Sequence, residues 1–296
     1  MPHANRAKGL ALAAFGGLAL TLDIPLIRLS EGDVWSTQFL RGLLIAPIGI
    51  AAWILMRVFA GQREPMMPGK LSWAVSLLYG ISSALFFYAV FATPTANLIF
   101  ILAFNPMIAA LLGWALFREV PKPQTFAAMA VMIVGVFIIV RDGLSAGHWT
   151  GDLAALISAA TIAGAITLSR HSGRNMGYAV LLAQLFPVIF SAWAIWNQGG
   201  IHIPQMGWMV LNGALVLPLA FFCLAAAPRH IGGAETAMFY LLETILAPVW
   251  VWMIFAEAPT RAAMLGGAII LAALAAHTVW EMQRERDLPE PESPVG

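Results

Sequence analysis

Glu243 stands about halfway along an apolar stretch, and steps of three or four residues put Thr236, Tyr240, Glu243 and Ala247 on one helical face. A carboxylate beside an aromatic ring can receive an ammonium group or exchange a proton during a cycle; it can also sit neutral or paired and bridge helices. Asn97, Ile101 and Phe104 share a narrow arc with Phe100 and Asn105 at its edges, an amide-and-ring surface that suits a small molecule with an apolar side chain. The same residues can instead serve as packing, with amides tying neighbouring helices together. Tyr79, Ser83 and Phe86 or Phe87 make a similar stripe, and Ser158 with Thr161 offers hydroxyls, with packing the favoured alternative role for each. The candidate contacts are therefore Tyr79, Ser83, Asn97, Phe100, Ile101, Phe104, Ser158, Thr161, Tyr240 and Glu243.

Asp23 and Arg41 fall at nearly matching depths in the first two apolar stretches, so they are expected to form a structural ion pair, because a buried unpaired guanidinium is costly. Alternatively, Arg41 with Gln38 one turn earlier holds a carboxylate. Proline interrupts apolar stretches at Pro25, Pro47, Pro106, Pro187, Pro218 and Pro248, each removing one backbone hydrogen bond; Pro106 and Pro248 are the candidate hinges. Enzyme chemistry has no visible apparatus. The six histidines lie mainly at stretch ends, no HExxH, GxSxG or P-loop occurs, and Cys223 is the only cysteine, so neither a metal nor another cofactor is expected.

Positioning these residues falls to ten apolar stretches of about twenty residues, near 9–27, 34–56, 71–92, 95–117, 123–140, 152–169, 176–196, 207–227, 233–256 and 261–280. Sixty per cent of the 296 residues are hydrophobic and ten per cent charged, against roughly a quarter charged in a soluble domain. Such a chain is solvated by a lipid bilayer, where helix is the backbone's main recourse. The net charge of +1 gives no support for nucleic-acid binding. The first stretch runs on without a small-residue cleavage site and reads as a span, not a removable signal peptide. Lys and Arg at both ends and in the even-to-odd loops number twelve (Arg6, Lys8, Arg57, Arg63, Lys70, Arg118, Lys122, Arg170, Arg174, Arg229, Arg284 and Arg286). The opposite loops hold only three, Arg28, Arg141 and Arg261, which places both termini in the cytoplasm.

The fourth and fifth stretches, from Ala96, align without gaps on the ninth and tenth, from Ala234, at an offset of 138, so that Glu119 meets Glu257 and Pro121 meets Pro259. Trp73 and Phe86-Phe87 match Trp208 and Phe221-Phe222 at 135, and Pro47 and Trp53 match Pro187 and Trp193 at 140. This is a five-helix duplication: residues 1–145 form one repeat, 146–283 the second, and 284–296 a polar, disordered cytoplasmic tail. Five is odd, so the second copy enters from the opposite face and a solute would sit near the midplane between the halves. One mismatch stands out: Thr244 replaces Pro106 in the second copy, and the proline comes later, at Pro248.

The segment from Asn97 through Asn105-Pro106-Met107 to Arg118-Glu119-Val120-Pro121, with its echo in Leu241 to Pro248 and Ala256 to Pro259, resembles the ten-helix EamA-type exporters of the drug/metabolite transporter superfamily. Within that superfamily the chain looks closest to the YddG-type exporters of aromatic and other amino acids. The resemblance implies an all-α inner-membrane protein of ten transmembrane helices, two inverted repeats around a central cavity, exporting amino acids by alternating access. Other small metabolites or lipophilic cations are the alternative cargo, and a channel or accessory subunit the alternative class. One ten-helix unit can enclose a whole pathway, which neither requires nor forbids a dimer.

Overall fold

Among the described residues, ten helical stretches are long and apolar enough to cross a membrane: spans 1 (Arg6–Leu29), 2 (Val34–Phe59), 3 (Leu71–Ala92), 4 (Thr95–Phe117), 5 (Pro123–Ala146), 6 (Trp149–Ser172), 7 (Tyr178–Gln198), 8 (Met206–Leu224), 9 (Met238–Phe255) and 10 (Arg261–Gln283). The computed structural model describes residues 3–59, 61, 65–174, 176–227, 230–231 and 233–287, and among these every regular element is helical. The last helix runs from Arg261 to Asp287, so residues 284–287 continue it instead of starting a tail, and residues 288–296 lie outside the described residues. An even number of antiparallel crossings returns the chain to its starting side. The bundle therefore has a terminal end, carrying Arg6 and Gln283, and a far end opposite.

Four spans are interrupted, and each interruption sits where a proline removes the partner of the carbonyl four residues back. Pro25 deprives Thr21, and span 1 breaks at Thr21-Leu22; Pro106 deprives Leu102, and span 4 breaks at Ala103-Phe104. Pro187 deprives Ala183, and span 7 breaks at Ala183-Gln184; Pro218 deprives Ala214, inside a π-helical turn at Leu211–Val216. Pro47 and Pro248 lie within unbroken helices. The two candidate hinges thus differ: span 4 is broken at Pro106, whereas Gly233–Phe255 runs through Pro248.

Packing follows a pattern consistent with two inverted repeats. Span 3 lies along span 6 as span 8 lies along span 1, span 4 meets span 6 as span 9 meets span 1, and spans 2 and 7, like spans 5 and 10, pair with each other. Local geometry repeats as well. Ser30 Oγ donates to the Ile27 carbonyl (2.6 Å) and accepts from the Gly32 N–H (3.4 Å). Ser172, 142 positions later, donates to Ser169 (2.7 Å) and accepts from Arg174 (3.2 Å). Glu31 and Gly173 follow these serines, both in the left-handed region (φ 52° and 62°). Gly16 packs on the Ala220 carbonyl, and its equivalent Ser158 on Ser82, which sets spans 3 and 8 at an offset of 138. The 135 suggested by Trp73 and Phe86-Phe87 is not the structural register, because aromatic residues recur too often in these spans to fix one.

Small residues let the spans approach closely, as is usual where lipid supplies no hydrophobic drive between helices. A Cβ on Gly266 would come 2.6 Å from the Gly135 carbonyl, one on Gly135 2.7 Å from the Gly266 carbonyl, and one on Gly17 2.6 Å from the Phe239 carbonyl. Backbone cannot step aside as a side chain can. Gly266→Val is accordingly expected to destabilise the span 5–span 10 contact by about 1–3 kcal/mol, read as a lower melting temperature in detergent.

Candidate functional site

The break in span 1 starts a new helical segment at Asp23, which is 4 % exposed. Its carboxylate pairs with Arg41 of span 2 (Nη1 to Oδ1 3.2 Å, to Oδ2 3.3 Å). Asn212 of span 8, inside the π turn, donates from Nδ2 to Asp23 Oδ1 at 2.7 Å and to the Asp23 carbonyl at 3.2 Å. The Arg41 guanidinium also faces the rings of Phe87 and Phe86, 5.0 and 5.9 Å from their centroids. The expected pair is thus part of a three-span cluster. One turn earlier, Gln38 Nε2 donates to Ser83 Oγ (3.2 Å), and Ser83 donates to Gln184 Oε1 (3.1 Å), joining spans 2, 3 and 7.

Glu243 sits nearer the middle of span 9, where the charges of Asp23 and Arg41 act on it. Tyr240 lies within electrostatic reach of Glu243, and Tyr79 of span 3 within reach of Tyr240. Tyr79 and Glu243 are half-buried and Tyr240 is 44 % exposed, whereas Asp23 and Arg41 are buried. Among the described residues, three buried polar atoms of the cluster have no hydrogen-bond partner: Arg41 Nε, Gln38 Oε1 and Asn212 Oδ1. Buried polar atoms are normally satisfied, so a donor and two acceptors left over in one place are what a bound polar solute or water would fill.

Of the ten candidate contacts, the structure gathers Tyr79, Ser83, Tyr240 and Glu243 around this cluster. The other six are engaged elsewhere. Asn97 Nδ2 donates to Asp152 Oδ1 (3.3 Å), which also accepts from Thr93 Oγ1 (2.5 Å), in a fully buried knot at the far end. Phe100, Ile101 and Phe104 are buried in the main hydrophobic core, with the Phe100 ring set against Gly267 of span 10. Ser158 and Ser82 exchange hydrogen bonds across spans 6 and 3 (2.9–3.0 Å), and the Thr161 hydroxyl is bonded to the Ile157 and Ser158 carbonyls of its own helix. An apolar, open-sided recess of about 400 Å³ lined by Trp35, Tyr88, Leu153 and Phe190, among others, is distinct from the polar cluster.

Asn212 and Asp152 are not among the candidates drawn from sequence. Asp152 stands in the first turn of span 6, where a stretch border hides it, whereas Asn212 is a lone polar residue well inside span 8, as such residues rarely are without a partner. That isolation is the signal by which Asn212 could be found.

Kinship is legible in the first half of the chain. Residues 7–141 match the EamA-like transporter family. That stretch holds spans 1 to 4 and nearly all of span 5, including Asp23, Arg41, Tyr79 and Ser83. One solved protein crystal structure shares the fold, with a TM-score of 0.60 at 20 % identity over 95 % of this chain and 99 % of the other. No curated protein matches the chain in sequence.

Proposed function

We propose that the whole chain is an EamA-type transporter of the inner membrane, termini in the cytoplasm, that exports aromatic and other neutral amino acids by alternating access. The observation that carries this reading is the half-buried Glu243, with Tyr240 in electrostatic reach and Tyr79 in reach of Tyr240, next to a cluster with unsatisfied polar atoms. A zwitterion supplies what those atoms lack: its ammonium faces Glu243 and the Gln38 and Asn212 oxygens, and its carboxylate faces Arg41 Nε. The rings of Tyr79, Tyr240 and Phe86 offer an apolar or aromatic side chain its surroundings. The family match of residues 7–141 supports a carrier over an enzyme.

One observation favours a second cargo. Arg41 is already paired with Asp23, which leaves Glu243 as the less committed charge, an arrangement that also suits lipophilic cations or other small cationic metabolites. Transport of labelled amino acids into proteoliposomes of the purified chain separates these. Saturable uptake that phenylalanine, tryptophan, methionine and threonine compete away, and that accelerates with substrate on both sides, supports the amino acid carrier. Competition by cations alone reverses the ranking, and uptake without counterflow identifies a pore.

A further inference from the structure

Resting on the reading of the protein as a carrier, but on no particular cargo, the geometry points to Glu257–Arg28 and Glu119–Arg170 as equivalent latches, one at each mouth, whose alternate closing sets which side the pathway faces. Both glutamates occupy the same corner of their repeats, 138 positions apart, just after a residue in the left-handed conformation: Arg118 at φ 58° and Ala256 at φ 56°. A non-glycine residue there is strained, and two such residues at equivalent corners mark a turn that both repeats maintain in order to aim the following side chain back at the bundle. Both arginines occupy equivalent helix ends, 142 positions apart, two residues before the matching serine turns of Ser30 and Ser172.

The two latches differ in state. At the far end Arg28 Nη1 is paired with Glu257 Oε2, and Arg28 Nη2 donates to the carbonyls of Val90 (3.0 Å) and Thr93 (3.4 Å). Glu257 Oε1 accepts from the Thr95 N–H (2.8 Å), so this one pair fastens the ends of spans 1, 3, 4 and 9. Its side chains are 17 % and 30 % exposed, and the Asp33 N–H to His202 carbonyl bond (3.2 Å) ties the loops beside it. At the terminal end Arg170 meets Glu119 through one contact of 3.3 Å, with side chains 68 % and 52 % exposed. The far mouth is latched and the terminal mouth loose, as expected of one state of a two-state element biased from both sides.

The test uses sided membrane vesicles of the full chain carrying Cys223→Ala and Ser83→Cys, labelled by an impermeant maleimide from either face, with counterflow measured in parallel on the Cys223→Ala chain that keeps Ser83. Glu257→Gln raises far-face labelling relative to terminal-face labelling by about tenfold. Glu119→Gln moves the ratio the opposite way, and the swap of Arg28→Glu with Glu257→Arg returns it to the parent value, which separates latching from misfolding. An unchanged ratio in Glu257→Gln, or the same direction of change in both glutamine variants, overturns the proposal. Opposed shifts in a protein without counterflow uphold the latches and reject the carrier reading; counterflow without shifts does the reverse.

Discussion

Asp23→Leu is expected to cost about 3–5 kcal/mol of stability, because it strands the Arg41 guanidinium in a site where its own side chain is 10 % exposed. The phenylalanine faces beside Arg41 attract the cation but do not neutralise it, and Asn212 loses the acceptor it holds at 2.7 Å. In a melting experiment in detergent the midpoint falls by about 10 °C. Arg41→Met in addition to Asp23→Leu removes the stranded charge and recovers most of that loss, since two apolar side chains replace a buried pair at little cost. Exchanging the two charges recovers stability as well. Should the single and double variants melt alike, the pair holds nothing together. Uptake then divides the two roles Arg41 can have. If it only pairs Asp23, the double variant transports; if Nε holds a carboxylate, the double variant is stable but inactive.

Glu243→Gln is expected to reduce saturable amino acid uptake by at least about thirtyfold while leaving the melting temperature nearly unchanged, because the amide keeps the shape and loses only the charge that faces the ammonium. Tyr240→Phe, which removes one hydroxyl from the same face, costs about three- to tenfold. Exchange and net flux tell binding from proton carriage. A carboxylate that binds substrate is needed for both, so the glutamine variant loses counterflow and pH-driven uptake together. One that only carries a proton is needed for net coupled flux, and its glutamine variant still exchanges substrate. Undiminished uptake in a well-folded Glu243→Gln protein removes Glu243 from the site altogether.

Features that depend on local length and repetition are legible along the chain. Glu119 and Glu257 align in sequence, and the residue before each, Arg118 or Ala256, takes the left-handed conformation. Asp23 and Arg41 match by depth alone, which suffices because an isolated buried charge is costly enough to make its nearest opposite the natural partner. Phe100 and Phe104 show where such reading stops: the arc they share with Asn97 is real, but it faces core and Gly267, and Asn97 answers to Asp152. Pro106 and Pro248 both interrupt apolar stretches, at positions that do not align, and only the first coincides with a break in the helix.

Ten helical stretches long enough to cross a membrane follow from composition, because a fixed hydrocarbon thickness and the need to satisfy every backbone polar group leave a chain of this kind few other forms. The packing among the described residues is consistent with the duplication read from repetition. Helical periodicity says which residues share a face but not which neighbour that face meets. It takes the packed bundle to join Asn212 to Asp23 and Arg41, to bring Tyr79 toward Tyr240, and to carry Arg28 to Glu257 across 229 positions, since those partners are chosen by how whole helices pack and where prolines let them break.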